Sequence, residues 1–189
     1  CAVLPVDLPA ASCAPVLPAL PALASLAAVR QVVPARSAAG IKWINDVVVD
    51  GAKVGGVLTA LRTRAGRIET VFLGIGLNVA TTPTSAAATG TLPAADLSAA
   101  ARRAVDLGEV VPLVLAALAE RTQELTTAGP AALLADYRAA SAVVGRRVTV
   151  QPEEGPSVSG RVTGIGDDLA LLLAAGPPVR GGRLLSLDD

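Results

Sequence analysis

Two short runs hold the residues whose types and spacing could do chemistry together. The first is Lys42-Trp43-Ile44-Asn45-Asp46, followed closely by Lys53-Val54-Gly55-Gly56-Val57-Leu58. The second is Leu73-Gly74-Ile75-Gly76-Leu77-Asn78-Val79. Glycines let a ligand approach the main chain, and the amides left open there donate to it. Lys53 adds a mobile positive charge beside two glycines, and Asp46 offers a carboxylate able to hold a metal ion. Such a set suits an anionic ligand that a second anion has to approach. Each part also has a plainer reading. A strand lysine beside glycines is commonly a solvated residue at a turn, and most Gly-x-Gly pairs are turns. Asn45-Asp46 is a good turn former, and Trp43 is good core material. Only the conjunction of the parts points to a site.

The elements that must position these residues read as hairpins. Gly40 to Trp43 leads into a turn at Asn45-Asp46, and Val47-Val48-Val49 follows as a β-branched strand. Asp50-Gly51 is a two-residue hairpin signal, with Lys53 to Leu61 as the return strand. Ala65-Gly66-Arg67 marks another tight turn before a strand from Ile68 to Leu73. Upstream, Cys1 to Val6 reads as a strand, and Leu20 to Val32 carries apolar residues at helical spacing. Thr81 to Leu97 is rich in Thr, Ala, Pro and Ser and is expected to be a mobile loop. Helices are expected at Val110 to Leu125, with Pro112 in the first turn, and at Ala131 to Ser141. From Gly145 the texture changes to short strands: Val148 to Val150, Ser157 to Thr163, Ala170 to Leu173 and Leu184 to Leu187. Strands joined by hairpins predict an α+β class with a largely antiparallel sheet, not a βαβ array. The closing strands predict a small barrel packed on the main domain. The expected division is a first domain over residues 1–142 and a second over 143–189.

Composition narrows the function classes. Hydrophobic residues make up 52 % of the 189 residues while aromatics are only 2 %, so the core must be built from Ala, Val and Leu. Sixteen basic and sixteen acidic residues cancel, which leaves no electrostatic footprint for nucleic acid or an anionic membrane. The longest apolar stretch, Ala14 to Val33, is broken by Pro15, Pro18 and Pro21, which argues against a membrane span. Two cysteines and no histidine exclude the usual zinc sets and a disulfide framework, so a reduced, cytoplasmic protein is the default expectation. The chain has no methionine and opens on Cys1, from which a piece of a longer product is expected.

Lys-Trp-x-Asn-Asp, then Lys-x-x-Gly-Val-Leu after a hairpin, then Gly-Ile-Gly-x-Asn-Val resembles the central signature of the biotin protein ligases. Ile44 stands where that family usually has proline. Gly145-Arg146-Arg147-Val148 and Gly160-Arg161-Val162-Thr163-Gly164-Ile165 resemble its C-terminal SH3-like domain. The resemblance implies a mixed sheet flanked by helices, followed by the SH3-like barrel. It also implies a two-step reaction. The biotin carboxylate joins the α-phosphate of ATP with release of pyrophosphate, and the lysine of a biotin carboxyl carrier domain then attacks the mixed anhydride. Magnesium is implied with the nucleotide, and a homodimer is the assembly seen among relatives.

By that resemblance Lys53 matches the lysine that meets the reacting carboxylate and phosphate. One lysine about 4 Å from developing charge contributes on the order of 4 kcal/mol at an effective dielectric of 20. Gly56 and Leu58 match positions lining the biotin ring pocket. Gly74, Gly76 and Asn78 match the strand end that meets the adenylate, with Asn78 placed to read adenine. Asp46 matches an aspartate near the phosphate, as a metal holder or a helper for the incoming lysine, with Asn45 beside it. Lys42 and Trp43 are expected to be structural. The family's Gly-Arg-rich loop over biotin is absent from these 189 residues. A lipoate or other acyl-protein ligase, and a non-catalytic binding module, therefore stand as alternative expectations.

Overall fold

The computed structural model describes residues 1–83 and 92–188. Strand β1, Ala2–Pro9, carries two prolines and lies at the edge of the main sheet, where a missing N–H costs no ladder bond. A single turn, α1 (Ala10–Cys13), precedes α2 (Ala19–Val32), in which eleven residues are buried. Its Ala-rich surface lets it lie close on the sheet with another helix behind it, so it is apolar nearly all round. Then come β2 (Ala39–Lys42), β3 (Asp46–Val49), β4 (Ala52–Arg64) and β5 (Arg67–Leu77), which give a five-stranded sheet in the order β1-β5-β4-β3-β2. Every strand pair in it is antiparallel. Of the mixed character expected, two isolated parallel bridges are present, Ile41 with Ser141 and Lys53 with Ala94.

The turns follow local chemistry. Asp50 and Gly51 both take positive φ, 49° and 79°, which is the twist a two-residue hairpin needs. Ala65 and Gly66 repeat the pattern between β4 and β5. Part of the mobile loop expected over Thr81 to Leu97, residues 84–91, lies outside the described residues. The rest of it is held: Asn78 and Val79 accept from the amides of Leu97 and Ser98. Helix α3 (Leu97–Ala101) starts there, capped by Asp96, whose carboxylate accepts from the Ala99 amide at 2.8 Å and from the Thr82 hydroxyl at 2.7 Å.

Helix α4 runs Leu107–Ala128, three residues earlier at its start than the apolar spacing suggests, because Asp106 caps it through the Glu109 amide. Pro112 consequently sits in its second turn and not its first. Helix α5 is Pro130–Ala139, with proline at the first helical position, and it ends before Ser141 because that segment turns to pair with β2. The chain then forms β6 (Arg147–Gln151), β7 (Val158–Ile165), β8 (Leu171–Leu173) and β9 (Arg183–Asp188), hydrogen-bonded in the order β8-β7-β6-β9. This second sheet joins the same continuous core: Val148, Val150, Val162 and Leu171 cluster with α2 and the main sheet. Arg138 of α5 reinforces the junction, donating to the Ile165 carbonyl and pairing with Asp167. No helix among the described residues is long and apolar enough to cross a membrane.

Tyr137 links this packing to the β2–β3 turn. It is almost fully buried, its hydroxyl donates to the Ile44 carbonyl at 2.8 Å, and burial pushes its phenol well above the ordinary tyrosine range. Replacing it by Phe leaves that carbonyl unsatisfied, so Tyr137→Phe is expected to cost about 1–2 kcal/mol in urea unfolding. Asp96 gives a pH signature. The bonds from Ala99 and Thr82 hold its carboxyl below the ordinary 3.8, so its contribution is complete above that pH and is lost as the pH falls through the lowered value. Melting curves of Asp96→Asn between pH 2 and 6 should therefore lose part of the acid dependence of the parent.

Candidate active site

One face of the main sheet is covered by α2 and the opposite face is paved with glycine. On the covered face Val47, Val49, Val57, Val71 and Leu73 are buried. On the open face Gly56 lies opposite Gly76, and Leu58, 74 % exposed, lies opposite Gly74. Gly55 is required by the pairing itself: a Cβ there would come within 2.5 Å of the Gly76 carbonyl oxygen. The resulting cavity, about 610 Å³, is lined by Asn45, Asp46, Lys53, Gly56, Leu58, Gly74, Gly76 and Asn78. Those are the eight residues singled out from the sequence, and the fold brings all of them together.

The β2–β3 turn at the cavity wall is fixed by identifiable bonds. Asn45 donates its side-chain amide to the Val57 carbonyl at 2.7 Å, while the Val57 amide returns to the Asn45 carbonyl at 3.0 Å. Trp43 is buried and donates its indole N–H to the Leu169 carbonyl at 2.8 Å, so the second sheet grips the same turn. The Trp43–Ile44 peptide is cis. The turn is thus tied separately to β4, to α5 and to the loop before β8.

Lys53 owes its direction to an irregularity in β4. Val47 faces Gly55 while Val48 faces Lys53, which leaves Val54 as an extra residue. This bulge resets the alternation, so Lys53 and Gly56 reach the same face although they are three apart. Where β5 ends, the segment around Ala94 takes its place: the Lys53 amide donates to Pro93 and its carbonyl accepts from Ala95. Asn78 holds that segment by donating its side-chain amide to the Ala95 carbonyl at 2.9 Å. Within the segment read as loop in the sequence, residues 93–95 form an isolated parallel bridge to the lysine.

Charge in the cavity is organised around one carboxylate. Asp46 places Oδ1 2.6 Å from the Lys53 amine and Oδ2 3.0 Å from the Lys42 amine. Lys42 is 8 % exposed, whereas the Lys53 side chain is 43 % exposed and faces the cavity. Two cations on one anion leave a local excess of positive charge at the cavity edge. Gly56 makes room for the pair, since an added Cβ would stand 3.1 Å from Asp46 Oδ1 and 3.5 Å from the Lys53 amine. Lys42, assigned a structural part from the sequence, belongs to this cluster. The hint was its position four residues before Asp46, across a turn that places the two directly opposite.

A resident magnesium does not fit this set. Each Asp46 oxygen already faces an ammonium group, and no cluster of three or more metal-binding side chains occurs among the described residues. Magnesium is a hard cation that takes oxygen ligands, and the side chains here supply no second carboxylate. The arrangement suits binding anions directly.

Comparison with known proteins agrees with the motifs. Residues 11–78 match the model of the biotin/lipoate A/B protein ligase family. The chain is 35 % identical over 145 residues to the biotin--[acetyl-CoA-carboxylase] ligase of Mycobacterium tuberculosis, covering 77 % of this chain and 50 % of that protein. It spans about half the length of the curated relatives it matches. The fold is similar to the crystal structure of biotin protein ligase from Aquifex aeolicus, with a TM-score of 0.72 and 21 % identity over 98 % of this chain and 80 % of that one. The Aquifex protein in complex with biotin and ATP gives a TM-score of 0.67 at 20 % identity, covering 98 % of this chain and 75 % of that one. By motif order, fold and these matches, the chain is similar to the biotin protein ligases, and its residues 11–78 match the biotin/lipoate A/B protein ligase family.

Proposed function

We propose that this protein acts as an ATP-dependent biotin protein ligase. It would form biotinyl-5'-AMP and pass the biotinyl group to a lysine of a biotin carboxyl carrier domain. The observation that carries this reading is the Lys53 amine at the edge of a glycine-paved cavity, with Lys42 and Asp46 behind it. A carboxylate attacking a polyphosphate must overcome like-charge repulsion, and a cation aimed into a cavity floored by main chain offsets it. The Aquifex relative with biotin and ATP bound supports the choice of ligands.

In this reading Lys53 meets the biotin carboxylate and the α-phosphate. Gly56 and the exposed Leu58 line the biotin ring side, and Gly74 and Gly76 let the adenylate approach the strand end. Asn78 has committed its amide to Ala95, which leaves its Oδ1 to accept from the adenine amine. Asn45 shapes the rim from the β2–β3 turn, where it is bonded to β4, and Asp46 holds the lysines instead of a metal, so magnesium enters with the nucleotide phosphates. Residues 1–142 form the catalytic unit and 143–189 an SH3-like domain that steadies the turn through Trp43. The working location is the cytoplasm.

Lys53→Ala in the full-length protein should lower pyrophosphate release with biotin and ATP at least tenfold, with circular dichroism and melting unchanged; normal turnover would remove Lys53 from the chemistry. Gly56→Ala should lower kcat/KM roughly tenfold, about 1.4 kcal/mol, by crowding the Asp46–Lys53 pair. Calorimetry with biotin and with lipoate decides the acyl group, and tighter lipoate binding would overturn the biotin assignment.

A further inference from the structure

We propose that Lys42 is a positioning residue: it keeps Asp46 neutralised so that Lys53 can leave that carboxylate for an anionic substrate. The proposal rests on the reading of the cavity as one that binds a nucleotide and a carboxylic acid.

Asp46 is shared by two lysines of different character. Lys42 is buried, does not line the cavity, and has Asp46 as its partner at 3.0 Å. Lys53 is partly exposed, lines the cavity, and has Asp46 at 2.6 Å. One cation is fixed and the other is free to swing. The Asp46 side chain is only 13 % exposed, and a carboxylate so largely withdrawn from water is costly to leave without a partner. Were Lys53 its sole partner, moving that amine onto a phosphate would strand Asp46 beside incoming anions. The carboxylate would then hold Lys53 back and repel the substrate. With Lys42 in place, Asp46 stays paired throughout, and the Lys53 charge is spent on the ligand.

The alternative is that Lys42 only closes the β2–β3 turn, which Asn45, Tyr137 and Trp43 already tie down. The two separate in a double-mutant cycle. ATP affinity measured by calorimetry should fall about tenfold in Lys42→Met and stay near the parent in Lys42→Arg. Adding Asp46→Asn to Lys42→Met should restore it, since removing the anion removes the need for its fixed partner. The KM for ATP should rise in Lys42→Met far more than kcat falls. Unchanged ATP affinity in Lys42→Met, or a deficit that Asp46→Asn does not relieve, overturns the proposal. Should Lys42→Met fail to fold, Asp46→Asn alone is compared with the double variant. Equal ATP affinities support the inference, and a further drop on losing Lys42 sinks it.

A second readout is independent of substrate. Acetic anhydride labelling of Lys53, followed by mass spectrometry, should slow several-fold in Lys42→Met and recover in the double variant. If the parent protein neither binds ATP nor releases pyrophosphate, the ligase reading fails, and the labelling pattern still decides the part played by Lys42. Equal labelling rates in parent and Lys42→Met count against it.

Discussion

A single carboxylate shared by two ammonium groups is the interaction around which the site is built. Asp46 must sit directly across the turn from Lys42 and directly across β3–β4 from Gly56, and both registers hold. Everything that fixes the turn serves this geometry. Asn45 pins it to β4, Tyr137 reaches up from α5, and Trp43 is held by the loop before β8. These anchors come from elements far apart in the chain, so the placement of one acid depends on the packing of the whole molecule. The sharing also accounts for the lack of bulk nearby. A side chain at position 56 would occupy the space where acid and amine meet.

The same geometry explains why the sheet is two-sided in character. One face is Val and Leu under a helix of nearly uniform apolarity, and supplies rigidity. The other face offers main chain. Rigidity on one side permits bareness on the other, because the glycines of β4 and β5 gain from the opposite face the order they cannot supply themselves.

Much of this was legible in the sequence, for physical reasons that differ by region. Hairpins were plain because Asp50-Gly51 and Ala65-Gly66 demand left-handed backbone that few residues adopt. The candidate residues were legible through the order and spacing of their motifs, and the fold brings them to one cavity. The bulge at Val54 was not, since nothing in Lys53-Val54-Gly55-Gly56 says which residue is extra. The Lys42–Asp46 pair was not legible, because a lysine flanking a tryptophan gives no sign of what its amine meets across a turn. The bridge at 93–95 was hidden by a Thr/Ala/Pro composition that reads as loop, and Asn78, fifteen or more residues earlier, holds that segment. The start of α4 was missed by three residues because an aspartate cap, not an apolar residue, sets the boundary.

A floor of bare backbone has a consequence for how such a protein can diversify. Gly56, Gly74 and Gly76 present no side chain to the cavity, so substitution there adds bulk to it instead of retuning it. Under the proposed function, changes in preference among carboxylic acids would have to arise around the perimeter, at residues such as the exposed Leu58, while the electrostatic cluster of Lys42, Asp46 and Lys53 is kept. Diversification by this route would yield enzymes that differ in cargo and share their activation chemistry.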